Sequence, residues 1–120
     1  MTKTIAVLRG SPRADSLTQK LARGIELAVG ERLTFHDIQI HDLPLYNPDL
    51  EKDAAHPGWD AFRQAVKVCD GLLFVSPEWN RSVPGGLKNA IDIGSRPYGQ
   101  GVFQKKSAAV VTQSTGGTGG

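Results

Sequence analysis

The fold is decided by residues 4–30, which read TIAVLRGSPRADSLTQKLARGIELAVG. The apolar run at residues 4–8 is typical of a strand that is buried on both faces of a sheet. Across residues 16–29 apolar side chains return at helical spacing, and Gly30 is a typical residue to end such a helix. The stretch therefore predicts a buried strand, a short polar loop and an amphipathic helix in direct succession.

The same alternation of strand and helix continues along the chain. Residues 72–75 and 108–111 are further continuous apolar runs, and residues 57–69 and 84–93 are predicted as amphipathic helices that open at a proline. The β-α-β-α-β-α-β order favours a parallel sheet with right-handed crossovers.

The position of each strand in the sheet also follows from the hydropathy pattern. Residues 33–36 and 38–40 alternate between apolar and polar side chains, which indicates a half-exposed edge strand. An edge position for the second strand and interior positions for the first and third predict an α/β, flavodoxin-like three-layer sandwich of order 2-1-3-4-(5). In that fold the ligand site lies beyond the carboxyl ends of strands 1 and 3.

Composition narrows the class of protein. The 120 residues are 39% hydrophobic and 22% charged, which predicts one globular domain over residues 1–120 and argues against a disordered chain. We expect a cytoplasmic protein, because no apolar run is long enough for a membrane span or a signal peptide. One cysteine excludes an internal disulfide framework. A net charge of +2 suits a small anionic ligand and is too weak to indicate a nucleic-acid partner.

The loop after the first strand is rich in groups that bind anions. It carries hydroxyls at Ser11, Ser16 and Thr18, the guanidinium of Arg13 and the free N–H groups of a helix start, all of which favour a phosphate. By itself the loop also fits a structural interpretation, with Ser16 as an N-cap and Arg13 as a solvated turn residue. Neither a Walker A sequence nor GxGxxG is present, which disfavours a P-loop NTPase and a dinucleotide-binding fold.

Two further loops are predicted at the same edge of the sheet. Trp79 follows the third strand beside Glu78, and either a flat ring ligand or packing against a neighbouring helix or subunit explains it. After the fourth strand, residues 113–120 contain four glycines and Ser114. Small residues let a ligand approach the backbone closely, and they are equally typical of a flexible linker.

Together the three loops resemble the NADPH-dependent FMN reductase family, which includes quinone- and chromate-reducing flavoproteins of flavodoxin-like fold. The most specific motif is PEWNRSVPGGLKNAID at residues 77–92, and residues 10–18 and 114–120 carry the other two. The resemblance extends over essentially the whole chain. One departure is Trp79, where the family usually has tyrosine.

The resemblance implies FMN as the cofactor and assigns residues to it. Those assigned are Ser11, Arg13, Ser16, Leu17 and Thr18 to the phosphate, Pro77, Glu78, Trp79, Asn80 and Arg81 to the flavin ring, and Ser114 and Gly116 to the border of the ring. The chemistry belongs to the flavin, so no side chain is assigned as catalytic. No metal is expected, because His36, His41 and His56 lack metal-ligand spacing, and Cys69 is predicted to be a buried, inert thiol.

The implied activity is that of an NAD(P)H-dependent, FMN-containing reductase. Hydride would pass from NADPH or NADH to flavin N5 and on to a small-molecule acceptor such as a quinone, free flavin, azo dye or metal oxyanion. The resemblance also implies a homodimer or homotetramer. Two alternatives stay open: a flavodoxin-like electron carrier, which the mildly basic charge disfavours, and an assembly fragment without cofactor.

The resemblance further implies elements after Gly120, since family members continue through a helix, a fifth strand and a last helix. The apolar pattern of residues 108–111 supports this expectation independently, because it is typical of an interior strand and nothing follows to pair its outer edge. We therefore expect a sheet truncated after strand 4, with a covering helix absent from at least one face. A partner chain that covers the edge is the alternative.

Overall fold

A computed structural model describes all of residues 1–120 and contains four strands and three helices. The predicted alternation is confirmed. The elements are β1 Lys3–Arg9, α1 Leu17–Val29, β2 Leu33–Asp37, α2 Pro57–Lys67, β3 Gly71–Pro77, α3 Gly85–Gly94 and β4 Ser107–Gln113, with short 3₁₀ turns at Gly30–Arg32 and Pro48–Glu51.

The four strands form one parallel sheet in the order β2-β1-β3-β4. This confirms the predicted flavodoxin-like order for the strands that the chain contains. β1 and β3 occupy the centre and are the most buried strands, while β2 lies at one edge, as its alternating pattern predicts. The reversal of strand order falls between β1 and β3, which places the predicted site beyond their carboxyl ends.

Helices cover the two faces of the sheet unequally. On one face α2 and α3 pack against β1 and β3 in a core of thirteen buried residues that includes Trp59, Leu87 and Ile93. On the other face α1 alone contributes, and the core has only the four buried residues Val7, Ala22, Leu73 and Val75. The molecule is therefore a three-layer sandwich with one deep core and one shallow core.

The ends of α1 form as the sequence predicts. Ser16 is the N-cap, and its Oγ accepts a hydrogen bond from Gln19 N at 3.0 Å. Gly30 ends the helix with a φ of 62°, a left-handed conformation that glycine adopts without a steric penalty.

The second helix ends earlier than residues 57–69 suggest. α2 stops at Lys67, where the Lys106 ammonium donates to the carbonyls of Lys67 and Cys69 and satisfies the end of the helix. Cys69 itself is buried, as predicted, and burial raises the pKa of its thiol. The thiol therefore stays protonated at the amino end of β3, away from the predicted site.

The prediction that residues 38–40 belong to a strand is wrong. Ile38 N still donates to Val7 O at 2.9 Å, but β2 ends at Asp37 and the chain then turns towards the α2–α3 face. Ile38 and Ile40 are buried in that core and the residue between them is exposed. The alternating pattern therefore reports alternate burial in a loop rather than strand pairing.

A buried side chain orders the loop after β2. Asn89 on α3 accepts a hydrogen bond from Tyr46 N at 2.8 Å and donates to Pro44 O at 3.1 Å. Trp59 Nε1 donates to the same Pro44 carbonyl at 3.0 Å. These bonds fix the loop to α2 and α3.

β4 has the composition of an interior strand and the environment of an edge strand. Ala108, Ala109 and Val110 are exposed, Val110 to 67%. A groove of about 570 Å³, lined mainly by apolar side chains of α1 and the sheet, runs along the shallow core at the amino ends of the strands. The predicted unpaired edge and partly uncovered face are therefore present. None of the helices has the length and apolarity that a membrane span requires.

Candidate functional site

The three predicted loops meet at the carboxyl edge of the sheet. Gly10 N donates to Val75 O at 2.8 Å and joins the first loop to β3. Glu78 N donates to Gln113 O at 3.2 Å and joins the second loop to β4. The Gln113 side chain joins the third loop to the first, because its Nε2 donates a hydrogen bond to Thr18 Oγ1 at 3.1 Å.

The close approach of the first and second loops requires glycine at position 10. A Cβ on Gly10 would lie 2.9 Å from Pro77 Cδ and 3.2 Å from Ser76 Oγ. Carbon atoms in proteins do not approach so closely, so any side chain here would push the two strand ends apart. The glycine therefore sets the separation between the loops that form the site.

The hydroxyls of the first loop shape the loop. Ser11 Oγ accepts a hydrogen bond from Arg13 N at 3.3 Å, and Ser16 Oγ caps α1. Ser11 and Ser16 are buried, and Thr18 is buried completely. These side chains hold the backbone in place, which is the structural alternative that the sequence left open.

The donors that remain free in this loop belong to the backbone and to Arg13. The N–H groups of residues 14–18 donate to no acceptor in the chain. They lie at the positive end of α1, where an anion is stabilised. Arg13 is exposed and forms no ion pair, so its guanidinium is free to bind an anion bidentately.

The second loop is a tight turn. Trp79 N donates to Ser82 O at 2.9 Å, and Ser82 N donates back to Trp79 O at 3.0 Å. Asn80 and Arg81 between them have φ values of 51° and 62°. Two consecutive residues with positive φ define a type I′ turn, which favours asparagine at the first position and glycine at the second. Arginine at the second position therefore strains the backbone.

This strain gives a prediction for stability. We expect Arg81→Gly to raise the free energy of unfolding by up to about 1 kcal/mol, because glycine adopts a positive φ without steric cost. Urea unfolding followed by circular dichroism measures the change. Lys105→Gly is the matched control, since Lys105 is also exposed with a φ of 60° but lies outside the three loops. A clear loss of stability in Arg81→Gly alone would show that the guanidinium stabilises the turn more than the backbone strains it.

A cleft of about 420 Å³ opens between the second and third loops. Its volume lies in the range of small-molecule sites. The residues that line it are Ser76, Pro77, Glu78, Arg81, Ser82, Val83, Thr112, Thr118 and Gly120. Pro77, Glu78 and Arg81 are thus brought together as the sequence analysis expects.

The other predicted residues, including all of those in the first loop, do not line this cleft. Trp79 is 44% exposed in the turn, and Leu17 is 47% exposed at the start of α1. Ser114 Oγ accepts a hydrogen bond from Gly116 N at 3.1 Å, so these two residues close their own turn.

Sequence reasoning missed several residues of the site. Ser82 and Val83 stand inside the quoted motif, Thr112 precedes the third loop, and Thr118 lies in it. Gln113, which contacts both other loops, was also missed. A polar residue that ends an apolar strand is the one signal in the sequence that could have drawn attention to it. No group of three or more His, Cys, Asp or Glu side chains is arranged to hold a metal ion.

Comparison with known proteins places this chain in a family. The profile of the family described as "NADPH-dependent FMN reductase" matches residues 3–120. A "Quinone reductase" of Pseudomonas putida is 48% identical over 117 residues, which are 98% of this chain and 63% of that protein. A "2-hydroxy-1,4-benzoquinone reductase" of a Burkholderia species is 42% identical over 119 residues, 99% of this chain and 64% of the relative.

A solved structure gives the same result. The flavoenzyme NAD(P)H:(acceptor) oxidoreductase FerB of Paracoccus denitrificans superposes with a TM-score of 0.89 at 44% sequence identity. The match covers 96% of this chain and 63% of FerB. The chain thus spans somewhat less than two thirds of the length of these relatives.

Proposed function

The chain belongs to the NADPH-dependent FMN reductase family, and from this premise we propose that it is the flavin-binding part of an FMN-dependent oxidoreductase. The electron donor is NADPH or NADH and the acceptor is a small molecule, with quinones as the first candidates. The observation that carries the proposal is the row of free backbone donors at residues 14–18 beside the unpaired Arg13, in a loop that Gly10 N and the Thr18 side chain bond to β3 and to Gln113.

The free groups of the first loop fit a phosphate. Five successive N–H groups, at residues 14–18, have no acceptor in the chain and can donate hydrogen bonds to phosphate oxygens. The dipole of α1 adds a favourable interaction with the negative charge of the phosphate. The guanidinium of Arg13 adds a charge-assisted donor. The residues assigned to the phosphate, Ser11, Arg13, Ser16, Leu17 and Thr18, would hold it through their backbone and through Arg13, while the hydroxyls keep the loop in shape.

The second and third loops fit the edge of a flavin ring. The N–H groups of Asn80, Arg81 and Val83 have no acceptor in the chain, so the turn offers unpaired backbone groups to a planar ring with hydrogen-bonding edges. Trp79 adds an aromatic surface at the same turn. Pro77, Glu78, Trp79, Asn80 and Arg81 would bind the ring, and Ser114 and Gly116 would border it.

The protein supplies binding, orientation and electrostatics in this reaction. The hydride-transfer chemistry between NAD(P)H and the acceptor would be supplied by FMN when it is bound. The fixed turn at Asn80 and Arg81 holds the backbone donors at one edge of the ring. Gly10 keeps the phosphate loop close to that turn. Arg81 lines the cleft and provides a positive charge for an anionic donor or acceptor.

Several finer properties belong to the same proposal. Chromate, azo dyes and free flavin are further candidate acceptors, because the cleft is open and contains few groups that would select one ring system. We also propose a cytoplasmic protein that acts as a single domain and assembles as a homodimer or homotetramer. An electron carrier is disfavoured because the net charge of +2 lacks the acidic surface by which small carriers steer to their partners.

A flavin titration tests the proposal. We expect the purified protein to bind FMN and the bound flavin to lose its visible absorbance when NADPH is added without oxygen, then recover it with a quinone. Arg13→Ala should weaken FMN binding about 10- to 150-fold, the contribution of a hydrogen bond to a charged group. Riboflavin, which lacks the phosphate, should bind both proteins equally.

Arg23→Ala is the matched control, because Arg23 is an exposed arginine two turns along from the start of α1 and pairs with Glu26 instead. It should leave FMN affinity unchanged. Absence of flavin binding in the unmodified chain would refute the proposal. Flavin that binds but is not reduced by NADPH or NADH would favour the electron carrier.

A further inference from the structure

Gln113 is the residue through which the three loops of the site are connected. It ends β4, its main-chain oxygen accepts from Glu78 N at 3.2 Å, and its side chain donates to Thr18 Oγ1 at 3.1 Å. The second bond spans 95 positions of sequence and reaches the first turn of α1. No other side chain at this edge of the sheet donates a hydrogen bond to α1.

The position of the Gln113 carboxamide lowers the stability of the folded chain. Its Oε1 is buried and has no hydrogen-bond partner. The amide can be turned over so that oxygen faces Thr18, but the nitrogen then loses its partner, so one of the two polar atoms is unpaired in either orientation. An unpaired buried polar group destabilises the folded state, and an apolar side chain of similar size would avoid this loss.

The position of Thr18 shows what the bond can do for the site. Thr18 is the second residue of α1, and its N–H is one of the free donors assigned to the phosphate. Its side chain is completely buried and therefore moves with the backbone of the first turn. The first turn is otherwise held by its cap Ser16 and by the bond from Lys20 N to Ser16 O at 3.1 Å. A bond from Gln113 to Thr18 restrains this turn relative to the sheet.

We propose that Gln113 is a positioning residue for the flavin phosphate: it fixes the first turn of α1 to the end of β4 and so holds the free amides of Leu17 and Thr18 in their binding arrangement. The inference rests on the proposed function, because it takes FMN as the ligand. A preorganised set of donors binds an anion more tightly than a set that must be ordered on binding. Gln113 therefore contributes to affinity and not to stability.

The test combines two variants with one control. Gln113→Met removes the carboxamide and keeps the length of the side chain. Thr18→Val/Gln113→Met removes both partners of the bond and leaves no unpaired polar atom at either position, which guards against a variant that merely fails to fold. Gln104→Met is the control, since Gln104 is exposed in the loop before β4 and makes no side-chain hydrogen bond.

Four quantities are measured on the full chain. The dissociation constants of FMN and riboflavin are obtained from flavin fluorescence, and the melting temperature from circular dichroism. Hydrogen exchange at Lys20 N reports the opening of the first turn of α1 without any flavin.

We expect FMN to bind both variants about 3- to 10-fold more weakly, the contribution of one hydrogen bond. Riboflavin affinity should be unchanged, and the melting temperature of the double variant should be equal to or above that of the unmodified chain. Exchange at Lys20 should be faster in both variants, and Gln104→Met should change none of these values.

Each other outcome overturns the inference in a recognisable way. An equal loss of FMN and riboflavin affinity, with a lower melting temperature in the double variant, would mean that Gln113 only supports the fold. Unchanged FMN affinity and unchanged exchange at Lys20 would mean that the bond positions nothing. If the unmodified chain binds no flavin at all, the proposed function fails and the positioning role fails with it, whereas tight FMN binding that the variants do not alter refutes the positioning role alone.

Discussion

We expect Trp59→Ala to lower the free energy of unfolding by about 3–5 kcal/mol, the range for replacing a large buried aromatic residue by alanine. The Trp59 side chain is completely buried in the deep core. Its ring packs against His56 and Tyr46, with centroid distances of 4.4 and 5.3 Å. Its Nε1 is also one of two donors to the Pro44 carbonyl, so the substitution removes core volume and loosens the loop after β2.

The other tryptophan is the matched control. Trp79 is 44% exposed and lies in the turn of the second loop. Trp79→Ala should change the free energy of unfolding by less than about 1 kcal/mol, and its effect should appear in flavin binding instead. Urea unfolding followed by far-ultraviolet circular dichroism compares the two variants without relying on tryptophan fluorescence. Similar losses in both would contradict the division between a structural and a site tryptophan.

The second large effect concerns the buried ion pair between Arg63 and Glu51. The two side chains are 7% and 13% exposed, and two hydrogen bonds of 2.5 and 3.0 Å join them. Arg63 Nε also donates to Ile93 O at 3.0 Å, which connects α2 to the end of α3. We expect Arg63→Met to cost about 2–4 kcal/mol, slightly below the usual range for a fully buried pair, because Glu51 keeps a little exposure and one other donor.

The size of this loss should depend on pH. Hydrogen bonds from Arg63 hold the pKa of Glu51 below its ordinary value of 4.5. The pair therefore stabilises the protein fully at pH values above 4.5, and the stabilisation disappears as the pH falls through the lowered pKa of the folded state. Without Arg63 the buried carboxylate is protonated more readily. The difference between Arg63→Met and the unmodified protein should thus be largest near neutral pH and shrink in acid.

Two further variants make the measurement decisive. Arg63→Met/Glu51→Leu removes both charges and should recover most of the stability, because the loss comes from an unpaired buried charge. Lys88→Met breaks the exposed pair with Asp92, whose side chains are 59% and 44% exposed, and should cost less than about 1 kcal/mol. Denaturant titrations at pH 7 and pH 4 would refute the argument if the loss in Arg63→Met were the same at both.

The strands and helices could be predicted because the local hydropathy pattern and capping residues agree with the burial that each element has in the folded sheet. β1 and β3 are the most buried strands, and their continuous apolar runs indicate this burial in the sequence. α1 has both its cap and its terminating glycine in the sequence. Residues 38–40 could not be predicted, because a loop that crosses the end of a sheet buries alternate residues in the same way as a paired strand does.

The site was predictable at the level of its loops and not at the level of its contacts. The motif at residues 77–92 identifies the second loop, but nothing in it shows that Asn89 anchors a distant loop. Ser11 and Ser16 look like ligand groups in the sequence because hydroxyls that shape a loop and hydroxyls that bind a ligand are the same residue types. Gln113 was missed since its partner Thr18 becomes its neighbour only once the sheet has formed.

The strand order also has a consequence for synthesis of the chain on the ribosome. β1 is made first, yet its central neighbour follows much later, since Ile5 pairs with Gly71, 66 positions further along. At a typical rate of 5–20 residues per second, roughly 3–13 seconds separate the two strands. During that interval β1 has β2 at one edge and α1 on one face, but no strand at its other edge. The nascent chain therefore leaves one edge of β1, and the side chains that α2 and α3 cover in the folded chain, exposed for seconds, which prolongs the time in which this edge can pair wrongly.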